Sequence, residues 1–187
     1  MSNPVRLLGL SGSLRKESYA TAILKTLAET VAARAHVTLG DIGALPHYNQ
    51  DHDGDAPPAA VATMRAALAD SHGLVIVSPE YNHGMPGVLK NAIDWLSSPP
   101  LTSPLIGKPV LFITASPAFT GGVRAQTHLR EVLIAAQARP VATDEVIIAS
   151  AHAKIADGRL TDQASLDYAV KALGQLIAEA RTLAQAA

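Results

Sequence analysis

Short, continuously apolar runs alternate with longer stretches of helical period, and this alternation most limits what the chain can become. Val5-Arg6-Leu7-Leu8-Gly9-Leu10 reads as a strand ended by the turn-forming Ser11-Gly12-Ser13. Thr21 to Ala33 then sets Ile23, Leu24, Leu27 and Val31 on one helical stripe. Val37-Thr38-Leu39 gives a weaker second strand, and Leu74 to Ser78 a third whose unbroken apolar run suits a strand buried on both faces. Pro86 to Ser97 predicts a helix with proline at its first turn and Val88, Leu89, Ala92, Ile93 and Leu96 on one face. Val110 to Thr114 is a fourth strand, followed by a helix near Arg124 to Ala138, and Val141 to Ala149 is a fifth strand. Asp157-Gly158 marks a turn, and Thr161 can cap a last helix carrying Leu166, Leu173, Leu176, Ile177 and Leu183.

Strand-then-helix units in this succession predict a parallel sheet with helices on both faces. A chain of 187 residues, 48% of them hydrophobic, suits a single domain over 1–187 and excludes disorder. Fifteen basic against sixteen acidic residues give a net charge of −1, which offers no electrostatic case for nucleic acid or an anionic membrane. The absence of cysteine excludes disulfides, a thiol nucleophile, iron–sulfur clusters and Cys-built zinc sites. Met1 to Arg6 lacks the basic and apolar pattern of a secretion signal, and no apolar run reaches membrane-spanning length. The expectation is a soluble cytoplasmic protein.

Open α/β sheets bind ligands beyond the carboxyl ends of their strands, which directs attention to four loops. Ser11 to Tyr19 is rich in hydroxyls, carries Arg15 and runs into a helix N-terminus, where free N–H groups suit a phosphate. The same serines could equally serve only as caps and turns. The loop is neither a Walker A motif nor a G-x-G-x-x-G fingerprint. Ser78 to Gly87 contains two prolines and two glycines, so it reads as a rigid loop offering backbone donors to a planar heterocycle. Thr114 to Gly122 again mixes hydroxyls and glycines. Ile42 to Pro57, longer than a connection requires, includes Leu45-Pro46-His47-Tyr48-Asn49-Gln50-Asp51.

Other chemistries fit less well. His83 has no second ligand at helical spacing, and Glu80 as a general acid has no supporting pattern. Asp51, Asp53 and Asp55 resemble a calcium loop, but Gly54 falls at its fourth position and Ala62 stands at its twelfth, so a solvated acidic loop is expected instead. A serine hydrolase lacks its G-x-S-x-G elbow.

Three segments together carry a resemblance to a known family: Gly12-Ser13-Leu14-Arg15-Lys16-Glu17-Ser18, Leu45 to Asp51, and Pro79-Glu80-Tyr81-Asn82-His83 continuing through Pro86-Gly87-Val88-Leu89-Lys90-Asn91-Ala92-Ile93-Asp94-Trp95-Leu96. Gly121-Gly122-Val123-Arg124 and His128-Leu129-Arg130 add to it. The chain resembles the NADPH-dependent FMN reductases, flavodoxin-like proteins that include quinone, azo-dye and chromate reductases. The resemblance implies a flavodoxin-like three-layer α/β sandwich with a five-stranded parallel sheet in the order 2-1-3-4-5. It also implies FMN at the carboxyl edge, its phosphate near Ser11, Ser13, Arg15, Ser18 and Tyr19. The isoalloxazine would be lined by Pro79, Glu80, Tyr81, Asn82, His83 and Gly84, largely through backbone, with Ser116 and Gly121 on the opposite rim.

NADPH, or NADH, would be the donor and a small molecule (quinone, azo compound, free flavin or metal oxyanion) the acceptor. The family is dimeric or tetrameric, with the Pro86–Ser97 helix contributing to the dimer contact. Two positions depart from the family pattern: Ala20 stands where asparagine is usual, and Pro117 removes a backbone donor from the third loop. Because the flavin carries out hydride transfer itself, no side-chain catalyst is expected. The competing readings are an FMN electron carrier without NAD(P)H activity, whose usual strong acidity is missing here, and a non-flavin regulatory domain.

Overall fold

The computed structural model describes residues 4–186; Met1 to Asn3, on which the secretion-signal reading partly turns, lie outside the described residues. The main sheet holds β1 (Val5–Ser11), β2 (Ala35–Gly40), β3 (Gly73–Ser78) and β4 (Pro109–Ala115), all parallel, in the order β2-β1-β3-β4. The fifth position is shared by two short strands, β5 (Arg139–Pro140) and β6 (Val146–Ile148), both parallel to β4. The order 2-1-3-4-5 therefore holds, but of the expected strand from Val141 to Ala149 only Val146–Ile148 is strand, and β5 precedes that range. Thr143-Asp144-Glu145 interrupts its apolar run and stays outside the ladder.

Alternation along the strands sorts the apolar residues into two cores, as a period of two requires. Leu7, Val75, Val77, Leu111 and Ile113 pack with α1 (Tyr19–Thr30) and α5 (Gln163–Ala186). Leu8, Leu10, Leu74, Ile76, Val110 and Phe112 face α2 (Ala59–Asp70), α3 (Gly87–Leu96) and α4 (Val123–Ala135). β3 is buried along its whole length, as its central place demands.

Three local expectations are revised. α2 leaves little trace in the apolar pattern, because alanine dominates it and only Val61, Met64 and Leu68 are fully buried. Asp162, not Thr161, caps the last helix by accepting the Ser165 N–H at 3.0 Å, while the Thr161 hydroxyl donates to the Lys154 carbonyl. Asp157-Gly158 does turn the chain, but between two strands outside the main sheet, β7 (Ile155–Ala156) and β8 (Arg159–Leu160). No helix among the described residues is long and apolar enough to cross a membrane.

Candidate functional site

The loops after β1, β3 and β4 meet at one edge because those strands are neighbours in the sheet. In the first, Ser18 is buried and caps α1, its Oγ accepting the Thr21 N–H at 3.2 Å. Its hydroxyl proton remains available to an incoming acceptor. Ser11 Oγ pairs with Thr21 Oγ1 at 2.7 Å, and Ser13 Oγ accepts the Arg15 N–H at 3.3 Å. Arg15 is exposed; its Nη2 donates to the Glu17 carbonyl, and its guanidinium lies 5.6 Å from the centre of the Tyr19 ring. A cavity of about 230 Å³ opens between this loop and the end of β2, lined by the hydroxyls of Ser11, Ser13 and Thr21, the Arg15 side chain and Asp41 among others. Ser18 and Tyr19 instead line a second cavity of about 390 Å³ on the other side of the loop, with Lys16 and Lys25. Ala20, the departure from the family pattern, is buried in the core rather than turned to either cavity.

After β3 the chain makes a two-residue hairpin. Tyr81 and Gly84 exchange backbone hydrogen bonds of 2.9 and 3.0 Å, and Asn82 and His83 between them have φ of +48° and +66°. Positive φ at both central residues is the signature of a type I′ turn, here formed without glycine at either position. The amides of Asn82 and His83 make no hydrogen bond among the described residues, and both residues are exposed. Pro79 is half-buried, and its carbonyl accepts from Ser78 Oγ at 2.8 Å.

Glu80 does not face this opening with its carboxylate. Oε2 accepts the N–H groups of Arg124 and Ala125 at 2.9 and 3.1 Å, capping α4 from a distance. The residue preceding that helix, Gly122, supplies no side chain to do so.

On the third loop, Ser116 Oγ accepts the Ala118 N–H at 3.1 Å. Gly121 is buried beneath the rim and its N–H is spent on the Ala118 carbonyl. It is glycine for space as well as for its φ of +62°, since a Cβ there would stand 2.4 Å from the Ile147 side chain. Phe119 is 87% exposed and Tyr81 50%.

The fourth segment is tied down from α3. Asn91 and Trp95, one helical turn apart, both donate to the Pro46 carbonyl at 2.9 and 2.8 Å, and Asn91 Oδ1 accepts the Tyr48 N–H at 2.7 Å. The acidic run beyond it is only partly solvated. Asp51 and Asp55 are exposed, whereas the Asp53 side chain is nearly buried, paired with Arg65 at 2.6 Å and bonded to Ser98 and Tyr48. Among the described residues, no group of three His, Cys, Asp or Glu could hold a metal.

Thr21, Asn91 and His128 are the contributors that motif reading left without a role. Asn91 and Trp95 carried a usable signal, their i,i+4 spacing on one helix face.

A parallel sheet in this order, with a hydroxyl-rich loop after its first strand and a turn of unpartnered amides after its third, is the architecture of the flavodoxin-like class. The family model for NADPH-dependent FMN reductases matches residues 5–153, and the chain belongs to that family. It is 42% identical over 163 residues to an NAD(P)H-dependent FMN reductase of Pseudomonas aeruginosa, covering 87% of this chain and 88% of the relative. A quinone reductase of Escherichia coli is 38% identical over 182 residues, 95% of each chain. Among solved structures, the flavoenzyme NAD(P)H:(acceptor) oxidoreductase FerB of Paracoccus denitrificans superposes with a TM-score of 0.84 at 31% identity, covering 95% of this chain and 98% of that one. The protein is a flavoenzyme oxidoreductase with FMN as cofactor and NAD(P)H as electron donor. The unpartnered amides of the turn and the hydroxyls after β1 are donors of the kind that an FMN ring and its phosphate would accept from.

Proposed function

We propose that the protein is an NAD(P)H-dependent quinone reductase of the cytoplasm, where the reduced nucleotide is available. The reading rests on one juxtaposition: β1 and β3 are neighbours, so the hydroxyl-rich loop after β1 stands next to the exposed turn with two free amides after β3. Bound FMN supplies the hydride-accepting and electron-donating chemistry. Ser11, Ser13, Arg15 and Ser18 hold the phosphate, with the Arg15 guanidinium as the charged donor and Tyr19 bracing it. Pro79 to Gly84 line the ring, where the Asn82 and His83 amides oppose the negative charge that develops on reduction. Glu80 contributes there through its backbone alone, because its carboxylate is committed to α4. Ser116 borders the opposite rim, and Gly121 lets that loop pass close over β6. No side chain acts as acid, base or nucleophile.

The acceptor follows from the rim. Leu14 is 61% exposed and, with Tyr81 and Phe119, gives the edge an apolar and aromatic lip. Such a lip favours a flat quinone, and other flat acceptors such as azo compounds or free flavin, over a metal oxyanion that needs charged donors. Anaerobic addition of NADPH or NADH to the FMN-loaded protein should bleach its flavin absorption, and steady-state turnover should be faster with a benzoquinone than with chromate. An electron carrier would oxidise neither nucleotide. Protein that stays colourless after incubation with FMN would overturn the reading.

We further propose that the protein works as a homodimer or homotetramer. A groove of about 360 Å³ between α3 and α4, lined by Ile93, Leu101, Ile106 and Val132 among others, supports a contact between copies.

A further inference from the structure

The Pro79–Gly84 segment is gripped by α4 on both sides of its turn. Before the turn, the Glu80 carboxylate takes two N–H groups from the first turn of that helix. After it, Nδ1 of His128 accepts the Met85 N–H at 3.2 Å. Both grips come from the first two turns of α4, one through backbone N–H groups at its start and the other through a side chain one turn further on. His128 also lies directly against the hairpin: a Cβ at Gly84 would sit 2.7 Å from its Nδ1. The imidazole therefore both satisfies the first backbone donor beyond the turn and sets how deeply the closing limb can sink.

We infer that His128 is a positioning residue of the flavin site. By accepting the Met85 N–H it fixes the height of the Tyr81–Gly84 hairpin and thereby aims the free amides of Asn82 and His83. The inference rests on the assignment of that hairpin to the isoalloxazine. What the role requires is an acceptor at the Nδ1 position, not a ring. Asparagine supplies one, because its Oδ1 stands the same number of bonds from the backbone; leucine fills similar space and supplies none.

The test compares the full-length wild type with His128→Asn and His128→Leu. Amide hydrogen exchange at Met85 is followed in the FMN-free protein, and FMN dissociation constants are read from flavin fluorescence. Wild type and His128→Asn should protect the Met85 amide and bind FMN within about threefold of each other. His128→Leu should lose that protection and bind FMN about tenfold or more weakly, an effect of the size of one hydrogen bond. Should the leucine variant fail to fold, His128→Gln, whose amide reaches past the Nδ1 position, takes its place with the same expectation. Wild-type affinity in the leucine or glutamine variant overturns the role of His128, and so does an asparagine variant as impaired as leucine. A wild-type protein that takes up no FMN overturns instead the assignment of the hairpin to the flavin.

Discussion

Arg15 is an exposed charged donor of the phosphate-facing loop, and its guanidinium lies over Tyr19. Replacing it with alanine should weaken FMN binding by about 10- to 150-fold, the range for a charge-assisted hydrogen bond. Fluorescence titration measures this, and an unchanged dissociation constant would mean that the guanidinium serves only the Glu17 carbonyl. At this scale the sequence was readable for Ser18, whose position just before an apolar-periodic run announces a cap. It was not readable for Glu80. Nothing near that residue indicates that its carboxylate belongs to a helix start 44 positions later. His128 is the mirror case, with its partner 43 positions earlier. A glutamate next to a ligand loop invites a catalytic reading, and only the fold reveals that a bare Gly122 has left two N–H groups needing an acceptor.

The segment from Leu45 to Asp53, regular only in a 3₁₀ turn at Gln50–His52, shows how a loop is held in place. Asn91 and Trp95 pin its start, and Asp53 anchors its end on α2 through Arg65, whose Nε also donates to the Trp95 carbonyl at 2.9 Å. Burial by itself would raise the Asp53 pKa. The hydrogen bonds from Ser98, Arg65 and Tyr48, together with the Arg65 charge, outweigh burial and hold the carboxyl below its ordinary 3.8. A carboxyl depressed in the folded state adds stability that is fully present above its unfolded pKa and is lost as pH falls through the folded value. Asp53→Asn should therefore be less stable than wild type at pH 7, yet lose less stability as the pH is lowered below about 4. Arg65→Ala strands a nearly buried carboxylate and should cost about 3–5 kcal/mol in denaturant unfolding.

The elements themselves were largely legible where branched apolar residues cluster, as in β3 and α3. They failed where alanine replaces them, as in α2, and where polar residues split a strand, as between β5 and β6. The Asp53 pair was hidden because an aspartate among aspartates looks solvated until its partners on α2 and beyond α3 are brought to it.

For the whole molecule, two groups among the exposed apolar residues bear on function. Leu14, Tyr81 and Phe119 stand on loops at the carboxyl edge of the sheet, the side on which α/β proteins hold their ligands. Leu101, 82% exposed, and Ile134, 58% exposed, lie along the α3–α4 side, away from that edge. Sedimentation equilibrium should return a multiple of the 19.4 kDa chain, and Ile134→Asp should lower it toward one chain while FMN affinity holds. A wild type that sediments as a single chain would remove the case for an assembly through this side.

The Asn82-His83 hairpin bears on how the molecule divides its free energy. A type I′ turn is least costly as Asn-Gly, and holding a histidine at φ +66° costs about 1–3 kcal/mol. His83→Gly should therefore raise the melting temperature of the FMN-free protein while leaving the Tyr81–Gly84 backbone pairing intact. The chain carries a standing debit at the mouth of its site, settled during folding rather than when a ligand arrives. Flavin capture should accordingly resemble docking onto a finished ledge, with a small entropy penalty and an on-rate set by diffusion and charge instead of loop rearrangement.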